Sequence, residues 1–176
     1  MPADTSDWDE FISVLHSIGQ TPYRFFREAA HELAARMLAL VIPRTPVGEY
    51  PMESGKMGGT LRRGWVSKTH QQAATNPGTP SAAEMRAWAY SLPVRHTGKS
   101  YEITITNPVE WASYVEFGHR QEPGRYVPTI GKRLKASWVE GQYMMTISEE
   151  QIRSMEPAIL EAVLQRWLNE VFGNGK

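Results

Sequence analysis

The chain has 176 residues, 41% of them hydrophobic, and 19 basic residues balance 19 acidic ones, so its formal net charge is zero. This length suits one domain with an apolar core, and the balanced charge argues against a dominant nucleic-acid-binding role. The chain contains no cysteine, which excludes disulfide scaffolds, cysteine-ligated zinc sites and cysteine nucleophiles.

The first quarter of the chain predicts helices. Residues 1–20 are interpreted as an N-terminal helical extension, because apolar residues recur there at helical spacing. Pro22 then stands at the first position of a long amphipathic helix that reaches Val41 and is expected to end at Pro43. The apolar stripe of this helix is predicted to consist of Phe26, Ala30, Leu33, Met37, Leu40 and Val41.

The middle of the chain predicts loops and short strands. The density of glycine and proline makes Val47–Gly59 a loop, and imperfect alternation predicts a strand over Thr60–Thr69. His70–Ala83 is polar and interrupted by prolines, which predicts a second long exposed loop. Met85–Leu92 fits either a strand or a helix, whereas the strict alternation of Tyr101–Thr106 predicts a strand.

A punctuated aromatic segment follows this strand. Trp111–Phe117 has apolar residues at helical spacing, which predicts a helical turn, and Gly118 fits the C-terminal cap of that turn. Glycine and proline make Gln121–Gly131 another loop.

The C-terminal segment predicts a second long helix. Ser148 followed three residues later by Gln151 has the form of a capping box and predicts a helix over residues 148–172, which Pro157 should kink or split. The predicted elements give one α+β domain over residues 1–176: a small antiparallel β-sheet packed against long N-terminal and C-terminal helices, with long projecting loops.

The sequence predicts no catalytic, metal or cofactor site. The five histidines lack the spacing of a zinc motif, and the glycines near Lys56 lack the strand-to-helix context of a phosphate loop. Glu110 and Glu116 are the carboxylates that suggest acid–base chemistry, but six residues apart they do not share a helix face. A small hydrolase built on this pair is a disfavoured alternative.

Aromatic and basic residues favour a protein that assembles. Six tryptophans and seven tyrosines are many for this length, and interface cores are enriched in aromatic residues and arginine. Trp65 and Trp111 are predicted to lie in the core, and Tyr50 and Tyr126 to lie at interfaces. Basic residues between 120 and 135 fit either phosphate contacts or a non-binding role, as a solvated face or as salt bridges between subunits, and the interspersed acids favour the second reading.

Several motifs resemble those of the head–tail joining (tail-completion) proteins of tailed bacteriophages and occur in the same order. The resemblance runs from about Thr45 to the C-terminus, with Glu140 standing where that family usually has proline and Gln142 where it usually has a basic residue. The motifs that carry it are Thr45-Pro-Val, Ser54-Gly55, Leu61-Arg62, Trp65, Asn107, Trp111-Ala112, Tyr114-Val115-Glu116-Phe117-Gly118-His119 and Val139-Glu-Gly-Gln-Tyr-Met-Met.

The resemblance implies a structural protein of the virion neck with no enzymatic activity and no cofactor. It implies a homo-oligomeric ring of six or twelve subunits, assembled in the host cytoplasm, that meets the head connector or adaptor and the tail tube or tail terminator. Transient contact with genomic DNA in the channel fits this position, and no membrane is involved. A tail terminator ring capping the tail tube is the alternative, and a nucleic-acid-binding module is a weaker one.

The predicted assembly interface combines exposed aromatic and charged residues with the glycine-rich loops. The Val47–Gly59 and Gln72–Ala83 loops are predicted to reach neighbouring subunits or partner rings. The predicted interface side chains are Tyr50, Arg62, Arg63, Glu116, His119, Arg120, Arg125 and Tyr126.

Overall fold

A computed structural model describes residues 22–50, 57–76, 78–128 and 131–172. The predicted N-terminal extension, residues 1–20, lies outside the described residues. The helices in these ranges are α1 (Pro22–Arg44), α2 (Thr60–Gly64), α3 (His70–Thr75), α4 (Ala82–Ser91), α5 (Ala112–Phe117) and α6 (Met144–Phe172). The strands are β1 (Arg95–Thr97), β2 (Ser100–Glu102), β3 (Gly118–Arg120), β4 (Tyr126–Val127), β5 (Lys132–Arg133) and β6 (Trp138–Glu140).

The α+β class predicted from the sequence is confirmed. Long helices lie near both ends of the described chain, and the strands form antiparallel pairs between them. The sheet is divided into three two-stranded ribbons, β1–β2, β3–β6 and β4–β5. No helix in the described ranges has an apolar stretch long enough to cross a bilayer.

The two long helices pack against each other in antiparallel orientation. Arg24, near the start of α1, donates to Glu170 near the end of α6 at 3.2 Å. At the other end, the Arg44 guanidinium lies 3.5 Å from the Ser148 hydroxyl oxygen. These contacts join the start of each helix to the end of the other, so α6 packs antiparallel along α1 and contributes to the core.

The buried face of α1 differs from the predicted stripe. Phe26 is exposed and Met37 is only half-buried, whereas Leu38 and Ile42 are fully buried. The helix is covered by α6 and α4 together, which rotates its buried face toward the groove between them. The residues of α1 in the core cluster are Ala34, Ala35, Leu38, Val41 and Ile42.

Trp65 lies in the core, as predicted, and ties α2 to the end of α1. Its indole Nε1 donates to the Thr45 hydroxyl oxygen at 2.7 Å, and that hydroxyl donates to the carbonyl oxygen of Val41 at 2.7 Å. The Trp65 indole N–H and the Thr45 hydroxyl, both buried, therefore each have a hydrogen-bond partner, as buried polar groups require. Asn107 adds a second link, because its side-chain nitrogen donates to the Leu61 carbonyl oxygen at 2.8 Å.

The strand predicted over Thr60–Thr69 is wrong, because Thr60–Gly64 is a helix followed by a turn. Leu61 and Trp65 lie one helical turn apart and are both buried. The alternation of side chains over Thr60–Thr69 was misleading, because Arg63 is buried by hydrogen bonds from its guanidinium to carbonyl oxygens.

The loop predicted over His70–Ala83 is also wrong, because α3 and α4 occupy both of its ends. The Thr69 side chain accepts from the backbone N–H of Gln72, and Ser81 forms a capping box with Glu84. Both caps are signals that the sequence carries, but the prolines between them suggested a continuous loop. The capping box begins α4, so Met85–Leu92 is resolved in favour of a helix that ends at Ser91.

The strand predicted over Tyr101–Thr106 is only partly present. Its first residues, Tyr101 and Glu102, pair with β1, and the following residues are assigned to no strand. Ile103 and Ile105 nevertheless pack against the core while Thr104 and Thr106 are exposed. The alternation in Tyr101–Thr106 therefore predicted correctly which side chains are covered, although the backbone pairs with β1 only as far as Glu102.

The C-terminal helix begins four residues earlier than predicted, at Met144. Ser148 is not a cap: its buried hydroxyl donates to the Met144 carbonyl oxygen at 2.6 Å from within the helix. The helix also continues across Pro157 without being split. The helical turn at Trp111–Phe117 and its glycine ending at Gly118, with φ 80°, are confirmed.

Candidate assembly surface

The N-terminus of α6 is capped by Glu116, a residue from a different helix. One carboxylate oxygen accepts from the backbone N–H of Met145 at 2.9 Å. The other accepts from the backbone N–H of Thr146 at 2.9 Å and from its hydroxyl at 2.8 Å. The negative charge therefore meets otherwise unpaired N–H groups at the positive end of a 29-residue helix. Glu116 is only 6% exposed, so its visible role is within the subunit.

The chain crosses itself tightly beside this cap. Gly118 has φ 80°, and a Cβ there would lie 2.9 Å from the Trp138 ring and from the Gly141 nitrogen. The backbone N–H of Tyr143 donates to the Glu116 carbonyl oxygen at 3.0 Å, and Tyr143 itself has φ 47°, which is unusual for a bulky residue. Only glycine fits the crossing at position 118, where both the space and the conformation exclude a side chain.

Residues 118–140 leave this crossing as a two-stranded projection, called the arm below. The β3–β6 pairing places His119 opposite Val139, and backbone bonds between Gln121 and Ser137 and between Gly124 and Leu134 continue it outward. The short β4–β5 ribbon corrects the prediction of a plain loop over Gln121–Gly131.

The arm has almost no core of its own. Of its described residues from Glu122 to Glu140, only Val127 and Leu134 are partly covered, and none is buried. An isolated two-stranded hairpin is only marginally stable in water. The arm is therefore suited to gain its stability from contacts with another molecule.

Four predicted interface residues come together on the arm: His119, Arg120, Arg125 and Tyr126. Tyr126 is 52% exposed, and the His119 ring lies 5.6 Å from that of Tyr114. Arg120 and Arg125 line an open concave surface of about 740 Å³ together with Gln121, Glu122, Ser137 and Trp138.

Arg62 and Arg63 lie elsewhere and bind backbone carbonyls inside the subunit. Arg62 donates to the Thr45 carbonyl oxygen at 2.7 Å, next to the end of α1. Arg63 is buried and donates to the carbonyl oxygens of Ala73 at 2.7 Å and Gly58 at 3.0 Å. Burial lowers the pKa of the Arg63 guanidinium. These contacts give both arginines a role in holding the subunit together, and their place in assembly stays a prediction.

Tyr50 borders a separate recess. It is exposed and lines a cavity of about 220 Å³ with Met57, Leu61 and Trp111, among others. The prediction that Trp111 belongs to the core is wrong, because this residue is exposed and packs edge-on against His70 at 5.0 Å. The Val47–Gly59 loop is described only at its two ends.

Three exposed apolar residues on the arm or at its base were not among the predicted interface residues. Phe117 precedes β3, and Trp138 and Val139 lie on β6. The aromatic density of this region was the available sequence signal. Their exposure could not be predicted, because it depends on the arm projecting away from the core.

A buried carboxylate on α1 was also missed. Glu32 accepts from Arg36 at 3.1 Å and from Arg86 on α4 at 2.8 Å. Burial opposes its ionisation, but the hydrogen bonds and charges of Arg86 and Arg36 outweigh that effect and lower the pKa of Glu32. The i,i+4 spacing of Glu32 and Arg36 was visible in the sequence, but the Arg86 contact links distant segments.

The described residues contain no group of three histidine, aspartate or glutamate side chains placed to hold a metal ion. Of the two carboxylates considered from the sequence, Glu116 has both oxygens engaged by the start of α6, and Glu110 is exposed.

Comparison with known families matches more than half of the chain. A family model described as "Bacteriophage HK97-gp10, putative tail-component" matches residues 9–118. The match covers the motifs from Thr45 to Gly118 and ends where the arm begins, so the likeness noted for Val139–Met145 lies beyond it. No curated protein and no solved structure matches the chain.

Proposed function

The chain belongs to the HK97-gp10-like family of phage tail components, and from that premise we propose that it forms a ring in the virion neck that joins the head connector to the tail. The role is structural and involves no catalysis or cofactor. The subunit would occupy the virion after assembly in the host cytoplasm, in contact with the connector or adaptor and with the tail tube or terminator.

The observation that carries this proposal is the arm. The described segment from Glu122 to Glu140 has no buried residue, and only Val127 and Leu134 in it are partly covered, which suits an element that contacts other molecules. Exposed aromatic residues lie on it or at its base, including Tyr126, Trp138 and Phe117. Aromatic residues of this kind dominate the cores of protein interfaces.

A ring requires a contact in which one patch meets a different patch on the next subunit and the rotation closes. A projecting arm on one side of a compact body suits such a contact, because it can reach a surface that its own subunit presents elsewhere. This replaces the expectation that the Gln72–Ala83 segment reaches out as one long loop, since α3 and α4 occupy half of it.

A tail terminator ring that caps the tail tube is the second candidate. The family description names a tail component without specifying its position, which favours this role as much as a joining role. The two functions leave different defects. Loss of a joining protein gives filled heads and finished tails that stay unattached, whereas loss of a terminator gives tails of uncontrolled length.

The test is a phage lacking this protein, examined by electron microscopy, together with light scattering of the purified chain alone and mixed with its neck partners. Closed rings and unattached heads and tails would support the joining role. Closed rings of the purified chain together with overlong tails in the mutant phage would support the terminator role instead. A chain that stays monomeric with every connector and tail component would overturn both candidates.

A further inference from the structure

The arm carries an excess of positive charge that the subunit does not neutralise. Between residues 118 and 140 there are two carboxylates, Glu122 and Glu140, and five cationic side chains. None of the ion pairs found among the described residues involves these cations. The cations are Arg120, Arg125, Lys132, Arg133 and Lys135.

Helix α6 carries the opposite excess, with five glutamates against two arginines. Two of the glutamates are engaged within the subunit, Glu149 with Arg153 at 2.7 Å and Glu170 with Arg24 at 3.2 Å. The other three are exposed and take part in no ion pair among the described residues: Glu150, Glu156 and Glu161.

Two of these unpaired carboxylates mark one outer face of α6. Glu150 and Glu161 are eleven residues apart, which is about three helical turns, so they lie on the same side roughly 16 Å apart. Pro157 lies between them on that side, and Leu164, one turn beyond Glu161, is 39% exposed. This acidic face thus combines carboxylates with an exposed apolar residue.

We propose that the arm of one subunit binds this acidic face of α6 on a second copy of the chain. Arg120 and Arg125 of one subunit pair with the carboxylate of Glu161 on the other, and the Trp138 ring of the first packs over Leu164 of the second. The inference rests on the proposed ring and supplies the contact between its subunits.

The concave surface of the arm has a suitable size and composition. Its volume of about 740 Å³ is on the scale of one to two helical turns, since one turn of a helix about 10 Å across occupies on the order of 400 Å³. It presents two guanidinium groups against the single carboxylate of Glu122, and Trp138 is 43% exposed beside them. Guanidinium groups pair well with carboxylates, and a tryptophan in a desolvated pocket is a common interface anchor.

The arm and the helix face present opposite charges on different parts of the subunit, which is what a head-to-tail contact requires. Nucleic acid could neutralise the arm alone, but it would leave the acidic face of α6 unpaired. A second copy of the chain neutralises both surfaces with one contact, and this favours self-association.

The test is a charge swap in the full-length chain, followed by light scattering and sedimentation at low salt. We expect Arg120→Glu with Arg125→Glu, and separately Glu161→Arg, each to weaken association by at least about tenfold. Mixing the two variants should restore assembly, because the reversed arm pairs with the reversed helix and the native arm with the native helix. Since the variants must alternate, the restored rings would hold an even number of subunits.

Matched controls separate this contact from general charge effects. Glu156→Arg makes the same charge change on the same helix, roughly 140° around its axis from Glu161, and should leave assembly unchanged. Arg95→Glu with Lys99→Glu, on the exposed β1–β2 hairpin, makes the same double charge reversal as the arm variant and should leave assembly unchanged. Unchanged thermal melting of each variant at a non-associating dilution verifies its fold.

The outcomes separate the contact from the ring. If the native chain forms rings and the arm and α6 variants form them equally well, the proposed contact is overturned and the ring remains. If the native chain stays monomeric, alone and with neck partners, the ring and the contact fail together. If the arm variant loses binding to duplex DNA while the Glu161 variant assembles normally, the arm binds nucleic acid and the inference is wrong.

Discussion

Replacing Glu116 by glutamine should destabilise the subunit although it changes only one atom and one charge. The carboxylate accepts three hydrogen bonds, two of them from backbone N–H groups at the start of α6. Glutamine keeps one acceptor oxygen but places an NH2 group where the second oxygen was. One N–H of Met145 or Thr146 then faces another donor and loses its partner.

The magnitude follows from the cap and from the charge. Loss of a helix N-cap costs about 0.5–2 kcal/mol, and a buried N–H left without a partner costs about 1–3 kcal/mol. These contributions overlap, and loss of the favourable interaction with the helix dipole adds up to about 1 kcal/mol. We expect Glu116→Gln to lower the free energy of unfolding by about 2 kcal/mol, which corresponds to a fall in Tm of about 4–8 °C for a chain of this length.

The assay is urea and thermal unfolding, followed by circular dichroism at a fixed protein concentration, because self-association would otherwise raise the apparent stability. Glu110→Gln is the matched control. Glu110 lies six residues earlier and is exposed, and no hydrogen bond or ion pair of its side chain occurs among the described residues. Equal unfolding free energies for the two variants, within about 0.5 kcal/mol, would refute the capping role, since an exposed substitution normally stays inside that range.

Two further predictions concern buried charges. Arg63→Lys should lower the free energy of unfolding in urea by about 2–3 kcal/mol, because a lysine cannot replace a guanidinium that binds several carbonyl oxygens at once. The exposed substitution Arg95→Lys is the control, and equal stabilities of the two variants would contradict the prediction. The pKa of Glu32 is lowered in the folded state, so the stability it contributes is present above its unfolded pKa and is lost as the pH falls through the folded pKa. Glu32→Gln should therefore reduce the fall in stability between about pH 5 and pH 3, and an unchanged pH dependence would show that Arg86 and Arg36 do not hold this carboxylate ionised.

The sequence predicted long helices best where the pattern was both periodic and long. Residues from Pro22 to Val41 have high helix propensity over many turns, and the last helix buries Ile159 and Val163, which lie one turn apart. The end of the helical turn at Gly118 could also be predicted from the local sequence, because glycine readily adopts the positive φ that ends a helix.

Short elements failed where burial had a cause outside the local sequence. Arg63 looked like one side of an alternating strand, but it is buried because distant carbonyls of Ala73 and Gly78 accept its N–H groups. Ser148 looked like a cap, but the chain had already begun α6 at Met144, where Glu116 supplies the cap from another helix. No local pattern can report a partner roughly thirty residues away.

The candidate surface divides in the same way. The sequence by itself determined the family motifs, and the structure gives many of them an internal role: Thr45 receives the Trp65 indole, Asn107 ties down α2, and Glu116 caps α6. Only the tertiary structure decided which charges remain exposed for a partner. That outcome depends on the antiparallel packing of the two long helices and on the projection of the arm, because exposure and unpaired charge are properties of the folded surface and not of any segment alone.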